Sequence, residues 1–532
     1  MDCIAARETA DIRSLLSCGL ACQKAGRHPD AVLCYESVLY LDPRHFDALH
    51  MLGVVAIQNR QYERAWDLIS GAVQKNARVG AAHRNLALVN LRLGRVSEAA
   101  SSYQTAIALE PEALDAHIHL ASVLIDLNRP EEALTACEQA IRRHPDSAVA
   151  YLVTAIALRS LQRATEALMS CDRAIALRPH SAEAWDKRAA ALQDLNRLDE
   201  AIESCETAMT LRPDFAPAYA HAGLMYLQRG DFFRGWNLSE WRNRPGSVVA
   251  APTYSQPRWR GEDDIVGQTL LVYCEQGLGD TIQFCRYASG LKALGIDVVL
   301  LAPSTLHGLL KGLRPTVQII DERDQLPRFD RHCPLLSIPH ALGTTAATIP
   351  ATIPYLFAEP DRVRRWQTKL CGDDLKIGIC WHGSSIPAAV GRSVPLAMFH
   401  HISLVPGVRL ISLQKGPGSE QLGQLPQGMT VEDLGADFDA GPDSFLDTAA
   451  VMQCVDLIIT IDTSIAHLAG ALGRPTWVML KEVPDWRWML KREDSPWYPR
   501  HRLFRQQKSG DWQGVFIRIL HSVENTIHTL RS

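Results

Sequence analysis

The stretch TIDTSIAHLAGALGRPTW, residues 460–477, decides the architecture of the second half of the chain. An apolar run ends at Ile461, and a polar Asp462-Thr463-Ser464 corner follows. A helical pattern then carries His467 inward and stops at Gly473 and Pro475. Those two are stop residues: glycine takes the left-handed turn, and proline cannot continue the hydrogen-bond ladder. Thr476 to Leu480 are again apolar and β-leaning. Strand, tight corner, helix and strand make a crossover unit, and such units build parallel sheets. The corner supports two uses. Asp, Thr and Ser cap helices, and backbone N–H groups at a helix start favour an anion such as phosphate.

Outward from this unit the alternation repeats. TLLVYC (269–274) is a short β-leaning run, EQGLGD (275–280) a loop with two glycines, TIQFCRYASGLKAL a helical pattern that stops at Gly295, and DVVLLAP the next strand. After the proline-punctuated ATIPATIPYLFAEP, further buried strands are predicted at LKIGICW (375–381), VRLISLQ (408–414), DLIITI (456–461) and TWVML (476–480). LDTAAVMQC is a helix between them, and the amphipathic WQGVFIRILHSVENTIHTL closes the chain. Two consecutive Rossmann-like halves imply a cleft where the carboxyl ends of their strands face each other. GLGDTI has two of the three glycines of a dinucleotide fingerprint, with Ile282 in place of the third, so the NAD signal is weak. The sequence contains no Walker A loop and no HExxH or paired Cys/His set, so neither a P-loop NTPase nor a catalytic metal is expected.

The first half is a repeat array. Ala31, Ala65, Ala99, Ala133, Ala167 and Ala201 recur on a grid whose next member is Gly235. Pro43, Pro111, Pro145, Pro179 and Pro213 share that period, as do Gly19, Gly53, Ala87, Ala121, Ala155, Ala189 and Gly223. Paired helices touch closely only where side chains are small, and proline ends the second helix of each pair. Tyr35, Ile69, Tyr103, Cys137, Cys171 and Cys205 fill another shared position. The three cysteines there are buried packing residues rather than metal ligands. RGDFFRGWNLSEWRNRP keeps Gly235 on the grid but departs from the other repeats and is expected to cap the array, with Trp236 and Trp241 packing onto the next domain.

Composition bounds the function. The chain has 532 residues, 47% of them hydrophobic and 21% charged, with a net charge of −4. That charge gives no general attraction to nucleic acid. The Trp/Arg-rich DWRWMLKREDSPWYPRHRLFR is interrupted by Glu493 and Asp494 and is expected to pack beside the cleft rather than bind nucleic acid. Thirteen cysteines without CxxC spacing indicate reduced thiols. With a charged N-terminal segment and no long apolar run, a cytoplasmic location without a membrane span is expected.

The repeat pattern resembles the tetratricopeptide repeat (TPR), which implies an α-helical superhelix over residues 10–245, with a concave groove that binds extended peptides. Residues 246–267 form the connection. The remainder resembles a glycosyltransferase of the GT-B fold, in the group of bacterial heptosyltransferases and their TPR-fused relatives. The motifs that carry this are EQGLGDTIQFCRY, GICWHG, ISLQKG, DTAAVMQCVDLIITIDTSIAHLAGALGRPTWVML and PDWRWMLKREDSPWYPRHRLFRQ. The resemblance implies an acceptor-side Rossmann-like half at 268–355 and a nucleotide-sugar half at 356–532. The layout is also similar to O-linked GlcNAc transferases and to bacterial TPR transferases proposed to modify flagellin.

Asp280 matches the aspartate proposed as general base in heptosyltransferases, in a loop shared with Gln276, Gly277 and Gly279 on the acceptor side. On the donor side the resemblance points to Thr463 and Ser464 for diphosphate oxygens, with Asp462 and His467 beside them. Lys415 and Arg392 are the cations for leaving phosphate, and Asp447 and Thr448 are candidates for ribose or phosphate contact. Each has a structural alternative: helix capping for the aspartates and hydroxyls, a solvated lysine for Lys415, a core histidine for His467. The expected activity is inverting transfer from a nucleotide sugar to Ser or Thr of a protein held in the TPR groove, flagellin-like proteins included, with no cofactor and no metal. Two alternatives stay open: a non-catalytic scaffold with a degenerate transferase domain, and transfer to a lipid or surface glycan.

Overall fold

The structure is a computed structural model that describes residues 11–244, 252–313, 316–384 and 390–531. The last residue of the expected array (245), part of the expected connection (246–251) and the segment beside Arg392 (385–389) lie outside the described residues. The chain divides into two compact units, residues 1–191 and 192–532.

The first unit is a run of helical hairpins, beginning with Ile12–Lys24 and His28–Leu41, then Phe46–Gln58 and Tyr62–Lys75. Ala31, Ala65, Ala99, Ala133 and Ala167 have no exposed surface. The crossing points show why small residues recur. A Cβ at Gly19 would lie 2.6 Å from the Tyr35 ring, and one at Gly53 would run into Ile69. Ala87, Ala121 and Ala155 hold the same position in later hairpins and are fully buried, and Tyr103, Cys137 and Cys171 on the second helices are fully or nearly so. A second periodic feature is conformational. Gly26, Arg60, Gly94, Asn128 and Gln162 all have positive φ, between 56° and 74°, at the turn inside each hairpin. Residue class hides this period, because the left-handed turn is occupied by four residue types. All but glycine pay a modest steric cost there.

The second unit begins with the last helices of the array. Ala216–Arg229 and Phe232–Ser239 pack on the α/β part. Trp236 is buried, donates from Nε1 to the Thr344 carbonyl at 2.8 Å and meets Trp486 edge-on at 5.4 Å. Gln228 donates to the Pro484 carbonyl at 2.8 Å. Trp241 behaves differently from expectation. It stacks on Tyr219 at 3.6 Å with Arg244 over its other side, so it seals the helical array itself. Arg242 then ties the array to the glycine loop through Glu275, at 2.5 Å.

Two parallel sheets follow. The first contains β1 (Thr269–Tyr273), β2 (Asp297–Leu301), β3 (Gln318–Ile320) and β4 (Arg331–Pro334) in the order β3-β2-β1-β4. The second contains β5 (Leu375–Cys380), β6 (Val408–Ser412), β7 (Leu457–Ile461), β8 (Thr476–Leu480) and β9 (His501–Arg505) in the order β6-β5-β7-β8-β9. All of β7 and nearly all of β1 and β5 are buried, as parallel strands covered on both faces must be. The expected single helix after β1 is two, Leu278–Phe284 and Arg286–Ala293, meeting at Cys285. In each sheet the strand order reverses beside the first strand, at β1/β4 and at β5/β7. That reversal opens a crevice at the carboxyl ends of the strands.

Candidate functional site

Four strand ends supply the site. The glycine loop follows β1, the segment holding Arg392 follows β5, Asp462 and Thr463 follow β7, and the Pro484–Trp488 turn follows β8. Gly277 stands at the N-cap of Leu278–Phe284, and its N–H donates to Asp280 Oδ2 at 3.0 Å. Asp280 therefore does hold the helix start, from inside the first turn. In the second half Thr463, not Asp462, is the N-cap of Ser464–Ala471, and its hydroxyl accepts from the Ile465 N–H at 3.3 Å. The two corners touch. A Cβ added at Gly279 would lie 3.2 Å from His467 Cδ2 and 3.4 Å from Ser464 Cα, so glycine is what lets the halves approach this closely.

Between the corners sits a chain of charges. Arg487 Nη2 pairs with Asp280 Oδ1, its Nη1 with Asp485 Oδ1 at 2.9 Å, and its Nε donates to Gln283 Oε1 at 2.6 Å. Arg392 faces Asp462 at 3.5 Å and Asp485 at 3.9 Å. Arg487 is 9% exposed at its side chain and Asp280 20%. Burial pushes the Asp485 carboxyl up, but Arg487 and Arg392 outweigh it and leave it below the usual range. For Asp462 burial wins: its pKa is raised, with Asp485 adding to the rise and Arg392 opposing it. Burial alone would also weaken the Arg487 charge, and the carboxylates of Asp485 and Asp280 more than restore it. The cavity lined by Arg392, Asp462, Lys481 and Asp485 is about 10 Å³, room for no more than one water.

An aromatic layer backs the cluster. His467 Nδ1 meets the Tyr498 hydroxyl at 3.0 Å, and its ring stacks on Trp488 at 5.6 Å. Burial and the Arg487 charge hold its pKa well below the usual histidine range. Here His467 is a buried histidine held by Tyr498 and Trp488. Arg286 is buried among oxygens and rings rather than carboxylates. It donates to the Trp497 carbonyl and the Tyr355 hydroxyl, each at 2.9 Å, and lies over Tyr498.

The other expected residues go elsewhere. Lys415 Nζ donates to the Phe438 carbonyl. Asp447 is gathered by Arg362, Arg365 and Trp366 Nε1, while Thr448 donates to Asp439 Oδ2 at 2.5 Å. Asp439 also accepts the Asp447 N–H at 2.7 Å, so this pair anchors a helix start. Gln276 and Gly277 are exposed at the loop. Sequence reasoning missed Arg487 and Asp485. Both lie in PDWRW, where the tryptophans drew attention to packing.

Comparison with known proteins agrees with the two-part organisation. Models described as tetratricopeptide repeat match residues 19–78, 50–113, 90–156 and 182–215. One described as glycosyltransferase family 9 (heptosyltransferase) matches residues 408–480. Protein FlbA of Caulobacter vibrioides is 29% identical over 331 residues, covering 57% of this chain and 54% of its own length. The chain thus spans about half the length of the curated relative it matches. Among solved structures, MamA protein is 22% identical, with 31% of this chain and 91% of that one covered and a TM-score of 0.30. A tetratricopeptide repeat protein from Parabacteroides merdae is 16% identical, with 44% and 94% covered and a TM-score of 0.39. The chain carries tetratricopeptide repeats together with a glycosyltransferase family 9 region. Among the described residues no helix is long and apolar enough to cross a membrane.

Proposed function

We propose that the chain transfers a sugar, with inversion, from a nucleotide-sugar donor to Ser or Thr of a protein presented by the repeats. The observation that carries this is the meeting of Asp280, at the strand end of one half, with Arg487 after a strand of the other, where Asp485 joins Arg487 to Arg392. Inverting transfer needs a base at the acceptor hydroxyl and positive charge at the leaving diphosphate, and these groups are of the right kind on opposite sides of one crevice. The family 9 region supports the same reading. Flagellin-like proteins are one acceptor class to include, because their modification is proposed for TPR transferases of similar layout. The decisive experiment incubates the purified chain with a panel of nucleotide sugars and native lysate, then measures mass gain on proteins, glycans and lipids separately. Gain on protein is expected. Gain only on glycan or lipid overturns the acceptor class, and no transfer with no nucleotide binding overturns the whole reading.

No metal is needed in this scheme, since two guanidiniums take the role of a cation at the diphosphate. Transfer is therefore expected to continue undiminished in excess chelator, and its loss, restored by a divalent cation, would overturn that part.

A second reading, a nucleotide-sensing scaffold, draws on the self-paired state of Asp280 and on the small cavity. It expects nucleotide binding without transfer, and unchanged complementation by the Asp280→Asn chain.

A further inference from the structure

We propose that Arg487 serves the donor by hand-over: its guanidinium, held here by Asp280 and Asp485, passes to the donor's diphosphate, and this frees Asp280 to take the acceptor's proton. The inference rests on the glycosyltransferase reading and adds a residue, an order of binding and a reason for the pairing.

Three observations carry it. The first is chemical. Arg487 spends Nη1 and Nη2 on carboxylate oxygens, and the guanidinium fork fits carboxylate and phosphate oxygens alike. Asp280 and Asp485 thus occupy the donors that a diphosphate would use. Asp280 keeps its place when Arg487 leaves, because its other oxygen holds the Gly277 N–H.

The second is charge. Asp280, Asp462 and Asp485 pair with Arg392 and Arg487 in this chain, and Lys481 lines the same small cavity. A dianionic ligand competes with these carboxylates, so it gains most when an arginine turns from its carboxylates to the ligand. Arg392 stands beside it, with a buried Nε that has no partner among the described residues and ion pairs of 3.5 and 3.9 Å.

The third is space. The corners are in contact at Gly279, and the cavity beside Arg392, Asp462 and Asp485 is about 10 Å³. A diphosphate that reaches Arg487 from between the corners needs the halves to part, and parting them breaks the Asp280–Arg487 pair. Opening and hand-over are then one event, and the donor binds first. In the step that follows, the acceptor oxygen attacks the anomeric carbon. The bond from that carbon to the diphosphate oxygen breaks, and its electron pair leaves on the nucleoside diphosphate. The hydroxyl proton goes to Asp280.

The test is calorimetric binding of uridine, guanosine, adenosine, cytidine and thymidine diphosphates to the full chain and to Asp280→Asn, Arg487→Ala and the double variant. With the diphosphate that the wild type binds best, Arg487→Ala should weaken binding by about tenfold or more, the worth of a charge-assisted pair. Asp280→Asn should tighten it several-fold, because the competing carboxylate is gone. In the Arg487→Ala background most of that gain should vanish, since coupled residues are non-additive. A full gain that persists without Arg487, or no gain in Asp280→Asn, overturns the hand-over while leaving the transferase reading intact. A wild type that binds none of the five overturns both. Should Arg487→Ala fail to fold, Arg487→Lys replaces it. That variant keeps the charge without the fork, and the same loss of the Asp280→Asn gain is expected.

Discussion

Replacing Asp280 by Asn is expected to cut sugar transfer by about 10²–10⁴-fold while nucleoside diphosphate still binds. The reason lies in what the two oxygens do. Oδ2 accepts the Gly277 N–H and Oδ1 takes Arg487, so the carboxylate is fixed at the start of its helix and mostly buried. Asparagine has one carbonyl oxygen and cannot accept a proton from a hydroxyl. It preserves shape and removes the base. It also leaves either Gly277 or Arg487 short of a partner, and breaking a mostly buried pair costs of the order of 3 kcal/mol. The variant's thermal midpoint must therefore be measured beside its rate. The assignment as base predicts a collapse of kcat with the diphosphate Kd equal to or tighter than that of wild type. An equal loss of both would show that Asp280 only holds the halves together, and retained transfer would remove it from the chemistry.

Much of this architecture is written in local sequence. The period of Ala31, Ala65 and Ala99 follows from how closely two helices must pack, and β1, β2 and β5 to β8 are apolar runs bounded by turn residues. The edges escaped. β3 is only three residues long, β4 is Arg-His-Cys-Pro, and β9 lies in the basic-aromatic HRLFR run, where strand alternation is masked by Arg502 and Arg505. The site divides in the same way. Both corners were legible because each is a strand-to-helix junction with its own turn chemistry. What joins them was not. Arg487 meets Asp280 across 207 positions, and nothing local in PDWRW marks the partner. His467 and Asp447 show the same limit. Motif context makes them ligand candidates, and no local pattern marks the Tyr498 hydroxyl or the Arg-Trp cluster 80-odd residues away that they meet in the fold.

Acid should loosen the second unit through its buried histidines. His501 is buried against Tyr498 and Trp488, with Nε2 3.0 Å from the Ala466 carbonyl. The neutral ring donates there, and burial lowers its pKa to about 4, the carbonyl opposing the shift and Arg286 adding to it. Unfolded, the same ring protonates near 6.5. Between those values the unfolded chain binds the proton that the folded chain refuses, so stability is complete above pH 6.5 and falls toward pH 4. The loss from His501 is roughly 3 kcal/mol across that window. His467, lowered well below its ordinary value by burial and by Arg487, shifts the balance in the same direction. Asp485, also lowered, adds to the loss at the acid end, while Asp462, raised, opposes it by protonating in the folded state first. Both histidines cost stability as the pH falls below 6.5, and the rise of Asp462 subtracts from that loss. Urea unfolding followed by the fluorescence of the buried Trp486, Trp488 and Trp497 at pH 7.5, 6.5, 5.5 and 4.5 reads this directly. His501→Gln keeps a donor for the Ala466 carbonyl and removes the titration, so its stability should fall less steeply than that of wild type. A wild-type stability that is flat from pH 6.5 to 4.5, or a variant slope equal to it, would mean that the layer behind the cluster admits charge. The neutral aromatic backing assigned to the site would then be wrong.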